Sequence, residues 1–202
     1  MIAIVDYGVG NLFSLAASFR KIGAETVITS DPAVIAAADR VILPGVGAFG
    51  DAAQKLRESG LDKVVKAEAA KGKPLMGICL GMQLLFAYSE EFGHHEGLGL
   101  LPGRVVPMKG VIPDDYKIPH IGWNRLSFKK DVPLFKYIQD GDHVYFVHSF
   151  YAEECGEALA ATTEYGAELT AAVAMGNVMG CQFHPEKSGD VGLNILRGFL
   201  EI

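Results

Sequence analysis

The residues with the most chemical potential lie in the stretch PLMGICLGMQLLF, residues 74–86, where Cys79 stands between Gly77 and Gly81. An apolar strand-like run leads into Cys79 and a helix-like run follows it, so the stretch is the thiol counterpart of the G-x-S-x-G nucleophile elbow. Such a turn crowds the neighbours of the nucleophile, which explains both glycines, and it places the sulfur at a helix N-terminus that favours a thiolate. A buried, inert thiol is the alternative, but it leaves the glycines unexplained. We predict that Cys79 is a nucleophile.

A cysteine nucleophile needs a base and an orienting group, and the stretch CQFHPEKS, residues 181–188, supplies both in His184 and Glu186. Pro185 disfavours a helix at His184, and residues two apart in an extended segment face the same way, so both side chains are expected to point to one place. A lone strand-end histidine bonded to backbone is the alternative, which the nearby glutamate makes less favourable. The remaining histidines lack metal-ligand spacing such as H-E-x-x-H, so no metal site is predicted.

The stretch VILPGVGAFGD, residues 41–51, contains the glycine pattern G-x-G-x-x-G. A dinucleotide-binding loop normally follows the first strand, with an acidic residue about twenty positions on, whereas here the pattern follows the third strand-like run and the region twenty residues on is helix-like. Acyl transfer instead needs backbone N–H groups that stabilise an oxyanion, one from the residue after the nucleophile and one from a neighbouring strand-to-helix loop. Leu80 is the first predicted donor. The second is the backbone of Gly45, Val46 and Gly47, where the glycines let the peptide come close to the substrate or flip.

The three stretches must be positioned by the elements around them. Up to residue 93 the sequence alternates apolar β-branched runs, beginning with IAIVDY at residues 2–7, with segments of helical periodicity such as LFSLAASFRKIG at residues 12–23. One helix is expected over GMQLLFAYSEEF, residues 81–92. The alternation predicts an α/β fold with an open, mostly parallel twisted sheet and helices on both faces.

After residue 93 the apolar runs become shorter and more polar, which predicts that some antiparallel strands continue the sheet before a final helix over residues 191–200. Ligands bind beyond the carboxyl ends of the strands in open α/β sheets. Gly8, residues 44–50 and residues 77–81 are therefore expected to meet at one edge, together with the chemistry.

Composition narrows the choice of partners and of compartment. Half of the 202 residues are hydrophobic and no repeat or linker interrupts them, so one domain over residues 1–202 is predicted. The net charge of −6, without long basic runs, argues against nucleic-acid and membrane partners. A cytoplasmic location is expected because no membrane-spanning or signal-peptide pattern occurs. The three cysteines show neither a disulfide framework nor a zinc motif, and Cys155 and Cys181 lack the elbow.

On these residues, the chain resembles the triad class, or class I, of glutamine amidotransferases over essentially its whole length. GICLGMQ at 77–83 and HPE at 184–186 carry the resemblance to the class. PGVGAFGD at 44–51, IPHIGWN at 118–124 and YFVHSFY at 145–151 point to the glutaminase subunits of imidazole glycerol phosphate synthases. The resemblance implies a flavodoxin-like α/β fold, no cofactor, and hydrolysis of glutamine to glutamate and ammonia.

The resemblance also implies a role for each residue. Cys79 attacks the side-chain amide, His184 carries the proton to the departing ammonia, and Glu186 orients His184, with a γ-glutamyl thioester as the intermediate that water hydrolyses. The residues expected to hold glutamine are Gly47, Gln83, Glu91, Ser149 and Phe150.

Members of this kind are heterodimers with a (β/α)₈-barrel cyclase subunit. The cyclase receives the ammonia through an internal tunnel and, with a phosphoribulosyl formimino carboxamide nucleotide, forms imidazole glycerol phosphate for histidine synthesis and an aminoimidazole carboxamide ribotide. The resemblance implies that the glutaminase idles until the cyclase binds its nucleotide, with a flip of the Val46 peptide as the switch. Trp123, Tyr145 and Lys187 match interface or gate positions; the alternatives are core packing for Trp123 and a solvated loop charge for Lys187.

Three other functions stay open. One is a glutaminase that feeds another synthase, such as the anthranilate, carbamoyl phosphate, guanylate or pyridoxal phosphate systems, against which Met82 and the PGVGAFGD run argue. The second is a non-catalytic nucleotide-binding module that uses the glycine pattern. The third is an interaction subunit that binds a partner without glutamine turnover.

Overall fold

The computed structural model describes all 202 residues, and its first half alternates strands with helices as predicted. Most of the helices lie close to their predicted positions, and the helix-like region that follows the glycine pattern is indeed helical. The elements of this half are β1 (Ile2–Val5), α1 (Leu12–Lys21), β2 (Thr26–Thr29), α2 (Pro32–Ala37), β3 (Arg40–Gly45), α3 (Phe49–Glu58), α4 (Leu61–Ala70), β4 (Leu75–Cys79) and α5 (Leu80–Gln83).

The second half consists mainly of strands and ends in a helix. Its elements are β5 (Tyr88–Ser89), β6 (His95–Glu96), β7 (Arg104–Pro107), β8 (His120–Arg125), β9 (Ser127–Phe128), β10 (His143–His148), β11 (Phe150–Glu153), β12 (Leu159–Glu164), β13 (Glu168–Met175), β14 (Val178–Cys181) and α6 (Gly189–Leu200), with short 3₁₀ turns at Pro133–Phe135, Gly156–Ala158 and Pro185–Lys187. No helix of the chain has both the length and the apolar character needed to cross a membrane.

The main sheet has eight strands in the order β2-β1-β3-β4-β14-β13-β12-β9. The first five are parallel, and β13, β12 and β9 extend them as antiparallel strands. Both faces of the sheet are buried, since Ala3 and Val5 of β1 pack into one core while Ile2 and Ile4 pack into the other. This burial on both faces explains the nearly continuous apolar runs of the parallel strands, and it confirms the predicted fold class.

Six strands of the second half lie outside the main sheet. β8 and β10 form a two-stranded antiparallel sheet, whereas β7 and β11 join β5 and β6 in another small sheet. The sequence run HVYFVHSFYAE, residues 143–153, is therefore divided at Ser149, where the chain passes from one small sheet to the other. At this break Ser149 and Phe150 line a cavity.

The expected helix over residues 81–92 is wrong, because α5 ends at Gln83. The carbonyls that follow do not bond to a next helical turn: that of Leu84 accepts from the N–H of Leu98, and that of Leu85 accepts from the N–H of Leu100, both at 2.8 Å. Leu84, Leu85 and Phe86 are all buried, so the stretch has no polar face that could lie toward solvent. Packing on all sides thus replaces the amphipathic helix that the spacing of apolar residues suggested.

Candidate active site

A cavity of about 720 Å³ opens beyond the carboxyl ends of β3 and β4, at the edge where ligands were expected. It is the kind of concave site that binds small molecules. The cavity brings together eleven residues that the sequence singled out or that flank them: Val46, Gly47, Cys79, Leu80, Gln83, Glu90, Glu91, His148, Ser149, Phe150 and His184. Of the predicted catalytic residues only Glu186 does not line the cavity, and it lies behind His184.

Cys79 occupies a sharp turn between β4 and α5, with φ 55° and ψ −115°, a conformation that is unfavourable for any residue other than glycine. The flanking glycines permit this turn by their lack of side chains. A Cβ atom on Gly77 would lie 2.6 Å from the carbonyl oxygen of Gly81, and one on Gly81 would lie 1.8 Å from the carbonyl oxygen of Leu43. Cys79 itself is 8% exposed, and it lines the cavity. The backbone geometry of a nucleophile elbow is therefore present.

His184 and Glu186 form a buried pair beside Cys79. His184 Nδ1 lies 2.8 Å from Glu186 Oε1, and both side chains are almost completely enclosed. The prediction that an extended backbone aligns them is wrong, because residues 185–187 form a 3₁₀ turn. The turn brings the carboxylate back toward the ring, so the two side chains meet by a different route from the one expected.

The electrostatic environment favours a protonated His184. Burial alone lowers the pKa of the imidazole, but the adjoining Cys79 sulfur and the Glu186 carboxylate outweigh it and raise the pKa to about 10. An imidazolium at this position faces the thiol on one side and a carboxylate on the other. The arrangement can hold a thiolate and an imidazolium as an ion pair, ready for attack on a carbonyl and for donation of a proton.

The predicted oxyanion donors lie at the same end of the cavity. Gly45 and Cys79 are register partners in β3 and β4, so the loop after Gly45 begins next to the sulfur. Val46 is 41% exposed and Gly47 has φ 92°, a value that glycine tolerates. The loop at Val46 and Gly47 and the first residue of α5, Leu80, all line the cavity.

The N-terminus of α3, the helix after this loop, is not free to bind a phosphate. The first backbone N–H of α3, that of Phe49, donates to the carboxylate Oε2 of Glu91 at 2.7 Å. Burial raises the pKa of Glu91, although this backbone hydrogen bond opposes the effect. Because a carboxylate already occupies the anion-favouring position, the nucleotide-loop alternative has no support in the geometry.

Two of the residues expected to hold glutamine, Gln83 and Phe150, are joined by a hydrogen bond. Gln83 is buried, and its Nε2 donates both to the carbonyl of Phe150 at 3.1 Å and to Oε1 of Gln182 at 2.9 Å. His148 Nδ1 also lies 2.8 Å from the Phe150 carbonyl, and the carbonyl of Ser149 accepts from Met108 N–H. The backbone between β10 and β11 is thus fixed beside Gln83, whose Oε1 is the side-chain atom left for a ligand.

Sequence reasoning missed two buried polar residues of the site. Gln182 is completely buried between β14 and His184, and its Nε2 lies 3.8 Å from Cys79 Sγ. His148 is also buried, and its Nε2 lies 3.0 Å from Nδ1 of His120. The signal for both was a polar residue inside an otherwise apolar run, in VMGCQFH and HVYFVH, because buried polar side chains need partners.

The three residues predicted for a partner interface or gate form one surface cluster. Trp123 on β8 and Tyr145 on β10 are cross-strand neighbours with ring centroids 6.0 Å apart, and Lys187 Nζ lies 5.8 Å from the Tyr145 ring. Trp123 is 53% exposed, so the alternative of core packing is wrong for this residue. The backbone carbonyl of Tyr145 accepts from His184 N–H at 2.9 Å, which joins this surface directly to the site.

Comparison with known proteins agrees with this geometry. The family profile described as "Glutamine amidotransferase class-I" matches residues 3–201. Proteins named "Imidazole glycerol phosphate synthase subunit HisH" from Syntrophotalea carbinolica and Methanothermobacter thermautotrophicus are 48% and 50% identical to the chain; the alignments cover 98% and 100% of the chain and 98% of each relative. A subunit of the same name from Sulfurimonas denitrificans is 52% identical over 98% of the chain and 97% of that protein.

Solved structures of other proteins share the fold of this chain. A structure titled "Crystal structure of glutamine amidotransferase" superposes with a TM-score of 0.78 at 20% identity and covers all of the chain and 98% of that protein. The structure of PurLQS from Thermotoga maritima superposes with a TM-score of 0.76 at 22% identity, over 99% of the chain and 97% of that one. At these identities the comparisons establish a shared fold.

Proposed function

Because the chain belongs to the class I glutamine amidotransferases, and within them to the HisH subunits of imidazole glycerol phosphate synthase, we propose that it hydrolyses glutamine with Cys79 as the nucleophile. The observation that carries this proposal is the placement of Cys79 on a strained strand-to-helix turn, at a cavity shared with a His184 that a buried Glu186 holds. The alternative of an interaction subunit without turnover leaves this strain and this buried ion pair without a purpose.

In the first half of the reaction the Cys79 thiolate attacks the side-chain amide carbon of glutamine and forms a C–S bond. The carbonyl electrons move to oxygen, and the resulting oxyanion accepts hydrogen bonds from the N–H of Leu80 and from the loop at Val46 and Gly47. The imidazolium of His184 gives its proton to the amide nitrogen, the C–N bond breaks, and ammonia leaves. A γ-glutamyl thioester remains on Cys79.

In the second half a water molecule replaces ammonia beside His184. The imidazole, now neutral, takes a proton from this water as its oxygen attacks the thioester carbon. Collapse of the tetrahedral intermediate breaks the C–S bond and releases glutamate. The Cys79 thiolate and the His184 imidazolium are regenerated, and Glu186 keeps the same ring nitrogen engaged through both halves of the cycle.

The ammonia produced here serves a partner subunit, which we assign as a (β/α)₈-barrel cyclase that makes imidazole glycerol phosphate and an aminoimidazole carboxamide ribotide in the cytoplasm. The cluster of Trp123, Tyr145 and Lys187 is the proposed docking surface, and its backbone contact with His184 supports that position. Docking next to the active site protects ammonia from protonation and loss to solvent.

The test is glutamate release from glutamine, measured for the wild type and for Cys79→Ala, alone and with the cyclase subunit and its nucleotide ligand. We expect turnover that rises with the liganded cyclase and vanishes in Cys79→Ala. Cys155→Ala is the matched control, since Cys155 is also buried but lies outside the cavity, and it should retain activity. Glutamate release that survives the loss of the Cys79 thiol contradicts the proposal.

A further inference from the structure

Gln182 is a buried polar side chain next to the nucleophile that the proposed reaction leaves without a task. It precedes Phe183 and His184 directly after β14, and its backbone N–H donates to the carbonyl of Ala171 at 2.9 Å. Its side chain is fully enclosed and lies between Gln83 on one side and Cys79 on the other. A fully buried amide needs partners for its donors and for its acceptor, so the orientation of this group follows from its neighbours.

The carbonyl of Phe150 determines which atom of each amide lies where. A carbonyl can only accept, so the NH₂ group of Gln83 must face it, as the distance of 3.1 Å indicates. The same NH₂ group uses its second hydrogen on Oε1 of Gln182 at 2.9 Å. Reversal of either amide would place two donors or two acceptors against each other. Gln182 must therefore present its own NH₂ group to the sulfur of Cys79, 3.8 Å away.

This chain of amides makes the sulfur a hydrogen-bond acceptor. A thiolate is the stronger acceptor of the two forms of cysteine, and hydrogen bonds to charged groups are stronger than those between neutral groups. We propose, on the basis of the glutaminase function above, that Gln182 is a further catalytic residue whose amide N–H stabilises the Cys79 thiolate and holds it toward the cavity. His184 then contributes the counter-charge on one side of the sulfur, and Gln182 contributes a neutral donor on another.

Alkylation of Cys79 by iodoacetamide tests this inference without glutamine. In that reaction the thiolate sulfur forms a bond to carbon and iodide leaves with the electron pair, so the rate follows the thiolate population. Cys155 and Cys181 are slow competitors, since burial raises the pKa of both thiols. The full chain is treated near neutral pH, and mass spectrometry of the Cys79 peptide gives its rate.

Two variants remove the donor in different ways. Gln182→Glu keeps the shape and the acceptor for Gln83 but directs a carboxylate at the sulfur, whereas Gln182→Leu removes the polar group. We expect Cys79 alkylation to slow by about tenfold in Gln182→Leu and by more in Gln182→Glu, since the donor is a hydrogen bond to a charged group. Gln139→Leu is the matched control, because Gln139 is exposed and does not line the cavity, and its alkylation rate should equal that of the wild type.

The outcomes separate this inference from the proposed function. Wild-type alkylation in Gln182→Glu, with an unchanged melting temperature, overturns the role of Gln182 even if glutamine turnover falls, since Gln182 would then act only through Gln83. If Gln182→Leu fails to fold, the near-isosteric Gln182→Glu decides the matter. Failure of the proposed glutaminase function gives a different result. Glutamate release then persists in Cys79→Ala, while the Gln182 variants still slow the alkylation of Cys79.

Discussion

Glu186→Gln offers a sharp test of how the buried pair positions its histidine. Glu186 Oε1 lies 2.8 Å from His184 Nδ1, while Oε2 is buried without a partner in the chain. A glutamine at this position has to place an oxygen at one site and an NH₂ group at the other. An NH₂ group at the partnerless site would bury two unsatisfied donors, whereas an oxygen there leaves the site as it is in the wild type. The amide is therefore expected to direct its NH₂ group at His184.

An NH₂ group at Nδ1 requires a lone pair on that nitrogen. His184 would then be a neutral imidazole with its proton on Nε2, the reverse of the tautomer that a carboxylate enforces, and it could not accept a proton at Nε2. The loss of the Glu186 charge also lowers the His184 pKa from its value of about 10. The wrong tautomer in a catalytic triad reduces turnover by about 10⁴-fold in the best-studied case, so we expect a loss of about 10³–10⁴ in kcat.

The assay is glutamate release by the complex with the liganded cyclase, with the histidine tautomer read from ¹⁵N shifts of labelled protein. Glu186→Ala is the control, because it removes the carboxylate without enforcing a tautomer, and it should keep more activity than Glu186→Gln. The tautomer argument is refuted if Glu186→Gln is the more active variant, or if its His184 shows the wild-type ¹⁵N pattern.

Three further predictions follow from packing, protonation and exposure. Gly81→Ala should fail to fold or lose several degrees in Tm by calorimetry, since its Cβ would lie 1.8 Å from the Leu43 carbonyl, and wild-type stability would contradict the proposed crowding. Burial lowers the pKa of His148 to about 3, so the unfolded chain binds this proton first as pH falls below about 6.5. The contribution of His148 to stability is complete above that pH and falls by up to about 1.4 kcal/mol per unit below it, so a His148→Gln variant should show a shallower acid-side slope than the wild type in urea titrations, and an unchanged slope would contradict the prediction. Trp123→Ala should weaken cyclase binding by at least tenfold in calorimetric titration with little change in Tm, because its side chain is largely exposed, and unchanged affinity would remove it from the interface.

Local patterns predicted those parts of the fold whose physical cause is local. The parallel strands were recognisable because burial on both faces demands apolar residues at every position, as in Ile2–Val5. The turn at Cys79 was recognisable because crowding there excludes side chains at Gly77 and Gly81. The same reasoning failed where backbone groups bond to residues far along the chain. The carbonyls of Leu84 and Leu85, for example, bond to a loop more than ten residues away.

The route by which His184 meets Glu186 also depends on tertiary contacts. The 3₁₀ turn that joins them is fixed at its start by the bond from His184 N–H to the Tyr145 carbonyl and at its end by Ser188, whose hydroxyl donates to the His184 carbonyl at 2.7 Å. Tyr145 N–H in turn donates to that hydroxyl at 3.0 Å. Tyr145, which holds both ends of the turn, belongs to β10 about forty residues earlier in the chain, so no spacing rule within CQFHPEKS could have revealed the turn.

The glycine pattern G-x-G-x-x-G shows how one motif can arise from unrelated causes. A Cβ on Gly45 would lie 2.7 Å from Gly81 N, so this glycine lets β3 approach the turn that carries Cys79. Gly47 has open space around it but a φ of 92°, which is a demand of the backbone. Gly50 faces the ring of His95, 2.7 Å from where its Cβ would lie. Since three separate constraints account for the three glycines, the pattern requires no phosphate, and only the first two concern the proposed oxyanion loop.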